Sequence, residues 1–460
     1  TISLADAGSL NAQTGASLGN AANPVIFNNG GQLNLTSSGS LANPITTTGG
    51  SGTFSSPGFS GTISSTISGT GGFGFVNFGQ NALYTLTANN TFQGGLTIGT
   101  GAIVAFSQDS NLGAAGGTVT IAGGGSLALP PAITTFTRPI VLQGGTLSAS
   151  NGITHQLTGP ISGNGRFLLG GGATYVLSGS NSFTGQLSVI GQNGSPPATL
   201  VVDDDSKLGA PSATLQLGEQ SGNFVRPAVL KASGNLNIAA TRSTTFRAAT
   251  IDTNGFNVTF NQPTSGRGLT KTGAGILRLN TANSDTTGEN DVNISQGTLR
   301  VGINNAFGSR ARVASMSGDA VLDLNGFAVE VSTLENSEPT TEVRLGSGQL
   351  TVRTGGAIYG AITGTGSLVI GKSGFSPASC VLGGVNTFSG GLTVAHGGQL
   401  TLQNAAGLGA PGNPLTLDKG TLSAGSVMPS PLMIDSSVNL VIGSGGARFA
   451  AGGQSIIIGS

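Results

Sequence analysis

One nine-residue pattern returns along this chain at a near-constant interval, and it limits what the chain can become. Asn90-Thr91-Phe92-Gln93-Gly94-Gly95-Leu96-Thr97-Ile98 comes back as Asn181-Ser182-Phe183-Thr184-Gly185-Gln186-Leu187-Ser188-Val189. It returns again as Asn386-Thr387-Phe388-Ser389-Gly390-Gly391-Leu392-Thr393-Val394. An eroded copy opens at Asn283-Ser284-Asp285 and reaches Gly288 and Ile294. Successive copies start 91, 102 and 103 residues apart. Each Asn is trailed by a small-residue turn, at Leu112-Gly113, Leu208-Gly209, Phe307-Gly308 and Leu408-Gly409. Each is preceded by a glycine-spaced segment, such as Ile67-Ser68-Gly69-Thr70-Gly71 or Ile362-Thr363-Gly364-Thr365-Gly366. Self-similarity of this kind is the mark of stacked supersecondary units. The landmarks divide the chain into units at about 1–66 (partial), 67–160, 161–263, 264–361 and 362–460.

A second, shorter period lies inside each unit. Leu392-Thr393-Val394, Leu400-Thr401-Leu402 and Leu415-Thr416-Leu417 alternate apolar and polar residues, which places the apolar set on one face of a strand. Strand starts at 392, 400, 415 and 422 give a strand plus turn of about 7 or 8 residues. Three such strands make a coil of roughly 22 residues. Each unit then winds four or five coils and the chain about 20. At a spacing of about 4.8 Å between coils, the expected rod is on the order of 100 Å long. The expected fold is all-β: a right-handed parallel β-helix, or solenoid, of three-faced coils running through residues 1–460 as one body. Thr1-Ile2-Ser3-Leu4 and Ser455-Ile456-Ile457-Ile458 read as strands, so both ends are expected to be uncapped.

Composition removes the competing classes. Gly supplies 80 of 460 residues, too many for a helical protein. Its pairing between apolar runs differs from the every-third spacing of collagen. A hydrophobic share of 37% with zero formal net charge argues against disorder. The same neutrality argues against nucleic acid, which needs clustered Lys and Arg. No apolar run is long enough for a membrane-spanning helix. The single Cys380 cannot form an internal disulfide. The chain starts without Met or an apolar leader, so any export signal is expected to have been removed or to lie outside the sequence.

The Ile-Ser/Thr-Gly-x-Gly segments, the Asn-Thr/Ser-Phe-x-Gly motifs with their Leu-Thr-Ile/Val strand and the Leu-Gly turns resemble the autotransporter-associated β-strand repeat. That repeat is also called the passenger-associated transport repeat. The resemblance runs from about Leu18-Gly19 to the C-terminus. It implies a right-handed parallel β-helix in a secreted or cell-surface bacterial protein, without implying one activity. The unit holding Asn283 has lost the Phe and Gly-Gly of its motif. Nor does the chain carry the aromatic girdles of a translocator barrel, having no Trp and three Tyr.

Few residues invite chemistry, and no catalytic set or cofactor site is expected. The motif residues Asn90, Phe92, Gly94, Gly95, Asn181, Phe183, Gly185, Asn386, Phe388, Gly390 and Gly391 read as structural. Their asparagines are expected to bond local backbone, and their phenylalanines to fill the core. Asp203-Asp204-Asp205 is the densest acidic run. Asp203 and Asp205 would share one side of a strand, where paired carboxylates can hold calcium or cleave a glycoside. The same register holds Ser107-Gln108-Asp109 and Gln403-Asn404-Ala405 in other units, so the favoured reading is a solvated turn with calcium the alternative. Gly69-Thr70-Gly71-Gly72-Phe73-Gly74 fits a dinucleotide fingerprint but is not expected to open a helix. His155 and His396 are isolated and read as coil surface; Cys380 reads as a small core residue.

Charge is uneven. Residues 219–353 hold 23 of the 36 charged side chains. Solvated loops explain this simply, and a partner contact through Arg310, Arg312, Glu335 and Glu338 is the functional alternative. Three readings follow in order. The first is a structural surface rod, serving as a stalk or as a fibre segment that associates end to end or side by side. The second is an adhesin that binds a host surface or glycan through the charged third unit. The third, a minor one, is a polysaccharide-degrading β-helix enzyme.

Overall fold

The computed structural model describes every residue except 57, 59, 79–80, 286–289, 309, 427, 429–430, 435–436, 452–453 and 460, so Gly288 of the eroded motif lies outside the described residues. Parallel strands stack into a β-solenoid of about 20 turns, and no α-helix occurs among the described residues. The chain divides into two compact units. One comprises Thr1–Leu230 with Thr241–Ser243, the other Lys231–Ala240 with Thr244–Ser460.

In the first unit the register steps from coil to coil along inward residues. One ladder runs Phe73, Leu96, Val119, Ile140, Ile161. A second runs Tyr84, Val104, Leu127, Leu147, Leu169, Val189, Leu217. A third passes through Phe136, Leu157 and Leu177. All of these side chains are buried. Aromatic rings stack along the core, with Phe27 and Phe73 5.8 Å apart and Phe75 and Tyr84 4.9 Å apart. Each fully buried side chain of this size contributes about 1.5–3 kcal/mol, and none of that burial exists until a neighbouring coil is in place. The hairpin Glu219–Ser221 with Phe224–Arg226 departs from the parallel winding, its two strands pairing antiparallel.

The second unit repeats the scheme. Leu236, Val258, Leu277, Leu299, Leu322, Val343 and Ile362 form the inward ladder of a seven-stranded parallel sheet. Leu350, Leu368, Leu392 and Leu415 form another, and Ile358, Leu382, Leu402 and Ala424 a third. The expected strands at 392, 400, 415 and 422 are Leu392–Ala395, Gln399–Leu402, Leu415–Asp418 and Gly420–Ala424. Leu392 pairs with Leu415 23 residues on, close to the coil length expected from periodicity.

The Leu-Gly landmarks are more ordered than simple turns. Asp109–Leu112, Asp205–Leu208 and Ala405–Leu408 are single turns of 3-10 helix, and so is Gly15–Leu18. Each ends on a glycine with positive φ, between 80° and 100° for Gly19, Gly113, Gly209 and Gly409. The preceding motif phenylalanine occupies the space a side chain would need. A Cβ on Gly113 would lie 2.7 Å from the Phe92 ring, and one on Gly209 2.6 Å from the Phe183 ring. Only glycine combines that backbone conformation with that approach.

Candidate functional site

The motif asparagines do something that spacing alone did not show. They were expected to bond their own turns; instead they join three successive coils. Asn90 Oδ1 accepts from the Ile67 N–H at 2.8 Å, and its Nδ2 donates to the Asn111 carbonyl at 2.5 Å. Asn181 accepts from Ile161 at 3.1 Å and donates to Lys207 at 2.7 Å. Asn386 accepts from Ile362 and donates to Gly407, both at 2.9 Å. The acceptor side thus meets the Ile of the glycine-spaced segment, and the donor side meets the 3-10 turn. Three landmarks that recur together in the sequence form one hydrogen-bonded bridge. The physical reason is closure: the chain leaves the sheet at this corner, and its orphaned backbone groups need partners one coil away. The eroded copy differs. Asn283 donates to Gly266 and accepts from Asp285 two residues on, so its bridge is partly local.

Phe92, Phe183 and Phe388 are buried as expected. Their carbonyls accept from Ala114, Ala210 and Ala410, which fastens each Leu-Gly turn to the motif one coil earlier. Gly95 and Gly391 have positive φ. Gly94, Gly185 and Gly390 adopt ordinary φ but pack against the previous coil. A Cβ on Gly185 would fall 2.0 Å from the Gly165 carbonyl oxygen.

The acidic run is not simply a solvated turn. The strand Ala198–Val202 ends before it, so Asp203 and Asp205 do not share a strand face. Asp203 and Asp204 are exposed, and Asp204 caps the 3-10 turn by accepting from the Ser206 N–H. Hydrogen bonding to the Ser206 side chain first, and to its backbone N–H second, holds the Asp204 carboxyl below its ordinary range. Asp205 faces the fully buried Arg242, at 2.8 Å from Nε and 3.1 Å from Nη2. Arg242 also donates to the carbonyls of Leu208, Gly209 and Ala213. Arg138 repeats the arrangement on Asp109, Leu112, Gly113 and Ala114. The last carbonyls of a helical turn have no partner within it, and here a guanidinium from the following stretch of chain collects them. These two arginines escaped the sequence reading. Their signal was the Asp that both turns share, at positions 109 and 205.

His155 corrects another expectation. It lies inside the coil, fully buried and stacked on Tyr175 at 6.3 Å, because Thr154 and Gln156 take the outward positions of its strand. Its Nδ1 contacts the Ile133 carbonyl at 2.6 Å, and its Nε2 has no partner. His396 is exposed, at a turn with φ of 54°. Cys380 is buried in the strand Ser379–Leu382. Burial above all, aided by the Glu335 charge, pushes its thiol up to about 12. The glycine run at 69–74 bridges two strands, Ile67–Gly69 and Phe73–Val76, and opens no helix.

The charge-rich stretch is not a set of loose solvated loops. Its ions pair between coils. In the second unit Arg312 meets Asp291 through both Nε and Nη2, at 2.8 and 2.9 Å. Arg300 meets Asp323 at 2.8 Å, and Lys231 meets Asp252 at 3.3 Å. Arg310, Glu335 and Glu338 are exposed. Arg312, the fourth residue expected to make a contact, is engaged with Asp291. Buried Lys271 donates to Thr253 Oγ1 and to the carbonyls of Thr272, Gly273 and Gln296. Its burial lowers it to about 8, against the opposing pull of Asp252 and Asp319.

Two shallow troughs of about 470 Å³ lie on the second unit. One is lined by Asp323, Glu342, Arg344 and Thr363, the other by Glu330, Lys372, His396 and Asp418 with a file of threonines. Among the described residues no group of three or more His, Cys, Asp or Glu is placed to hold a metal ion. No helix among them is long and apolar enough to cross a membrane, which says nothing of β-barrels.

Residues 84–105, 269–301 and 380–403 match the passenger-associated-transport-repeat family. The chain carries passenger-associated transport repeats. The first and third stretches contain the bridges of Asn90 and Asn386, and the second contains the eroded copy at Asn283. The chain is 31% identical over 330 residues to "Adhesin BmaC autotransporter" of Brucella suis biovar 1 (strain 1330), a match covering 68% of this chain and 9% of that protein. It is 32% identical over 144 residues to "Uncharacterized lipoprotein YdeK" of Escherichia coli (strain K12), covering 30% of this chain and 10% of that one. The aligned regions therefore span about a tenth of the length of these relatives. No solved structure matches the chain.

Proposed function

We propose that these repeats form a non-catalytic stalk segment of a bacterial surface passenger protein, outside the cell. The observation that carries this reading is where the recurrent residues direct their polar groups. Asn90, Asn181 and Asn386 each bridge successive coils, and the phenylalanines and glycines around them close the turns. What the chain repeats is therefore a device for adding coil to coil. The match to a protein named as an autotransporter adhesin supports a place at the cell surface.

The test is deletion of residues 67–160 from the protein in the bacterium that makes it. The shortened protein should still be cleaved by protease added to whole cells and should still support attachment. Its reach should fall by about 20 Å, the thickness of four coils. Protection from external protease, or loss of attachment on that deletion, would refute the stalk reading.

A further inference from the structure

The charge-rich stretch contains an aligned feature on the outward face of the seven-stranded sheet in the second unit. Arg278 pairs in register with Arg300, Arg300 with Asp323, Asp323 with Arg344, and Arg344 with Thr363. The neighbours Leu277, Leu299, Leu322, Val343 and Ile362 are buried, so this file points away from the core. At about 4.8 Å per coil, Arg278 to Arg344 spans about 14 Å.

The charges along the file do not balance. Arg300 is matched by Asp323 at 2.8 Å, and Arg344 by Glu342 at 2.7 Å. Among the described residues no carboxylate pairs with Arg278, and its Nε is shielded from solvent without a hydrogen-bond partner. Two guanidinium groups thus sit on directly paired positions, an arrangement that is unfavourable unless an anion joins them. Beside the far end of the file lies the trough of about 470 Å³. Its floor is backbone, because Gly326, Gly346 and Gly364 form turns that stack without side chains between them. A Cβ on Gly346 would lie 2.7 Å from the Gly326 nitrogen. Its rim offers the carboxylates of Asp323 and Glu342 and the side chains of Asn325, Ser347 and Thr363, beside the ion-paired Arg344.

We propose that this face binds an acidic oligosaccharide, a carboxylate or sulfate group meeting Arg278 and Arg300 while sugar hydroxyls donate to the rim of the trough. Hydroxyl groups suit the rim because they donate to carboxylates. The trough has no aromatic side chain on which a nucleic-acid base could stack. An open trough beside a straight file suits an extended chain rather than an enclosed small molecule. This inference goes beyond the stalk reading, which stands or falls on its own test.

The experiment is calorimetric titration of the intact chain with a sulfated heparin hexasaccharide, with oligogalacturonate and with a neutral dextran oligomer. Saturable binding of at least one acidic ligand is expected, weakening as salt is raised. The sulfated and carboxylated ligands distinguish the two anion sources. Arg278→Gln should weaken binding by about tenfold or more, whereas Arg278→Lys, which keeps the cation, should lose less. Hydrogen exchange of the Leu277, Leu299 and Leu322 amides should be unchanged in both variants. Failure of both acidic ligands to bind, equal binding of dextran, or wild-type affinity in Arg278→Gln would overturn the proposal. If Arg278→Gln alters the exchange pattern, the comparison of wild type with Arg278→Lys decides, and equal binding of acidic and neutral ligands by both would overturn it.

Discussion

Replacing Arg242 by Met tests the claim that buried guanidinium groups hold the 3-10 turns. Methionine keeps much of the length and removes the charge and every donor. Asp205, with 14% of its side chain exposed, would lose its counter-ion. The carbonyls of Leu208, Gly209 and Ala213 would lose a donor in the same step. Breaking one side of a buried pair costs about 3–5 kcal/mol. A single global unfolding energy is poorly defined for a stacked repeat, so the loss is best read locally. Native-state hydrogen exchange at Ala210, Ala213 and Leu215, whose amides bond Phe183, Ala210 and Ser243, reports this coil. A local loss of about 3 kcal/mol would speed exchange there by about a hundredfold. Arg138→Met is the internal control, because its partner Asp109 is 47% exposed and keeps more of its hydration. It should cost less than Arg242→Met. Acceleration below about threefold at Ala210 and Ala213, or a larger effect for Arg138→Met, would refute the reasoning.

Asn386→Ala should destabilise its coil by about 2–3 kcal/mol, since the Ile362 N–H and Gly407 carbonyl are left buried without partners. Asn283→Ala should cost about half as much, and exchange at Ile362 and at Ser284 compares them. Lys271 is lowered to about 8, so between that value and the ordinary lysine range the folded chain holds fewer protons than the unfolded one. Stability should therefore rise as pH is raised from about 8 to about 10. The rise should be absent in Lys271→Met, as followed by urea midpoints of both proteins. Cys380, raised to about 12 and fully buried, should resist thiol reagents in the native chain and react at once in denaturant.

The sequence determined the winding. A strand period of two, turns every seven or eight residues and a motif recurring about every hundred leave few ways to bury the apolar face except by stacking coils. The strands at 392, 400, 415 and 422 follow from that pattern alone, as does the burial of Phe92, Phe183, Phe388 and Cys380. Tertiary structure decided which polar groups meet. Asn90 and Ile67 are 23 residues apart, and Asp205 and Arg242 are 37 apart. Those separations depend on the length of every intervening turn, and turn lengths in this chain vary. His155 shows the same limit, because one step of strand register separates the core from the surface. The file of Arg278, Arg300, Asp323 and Arg344 is scattered through 67 residues of sequence and becomes a line only when four coils stack in register. Local pattern fixes each strand, whereas the partners of a charge are fixed by the coils on either side of it.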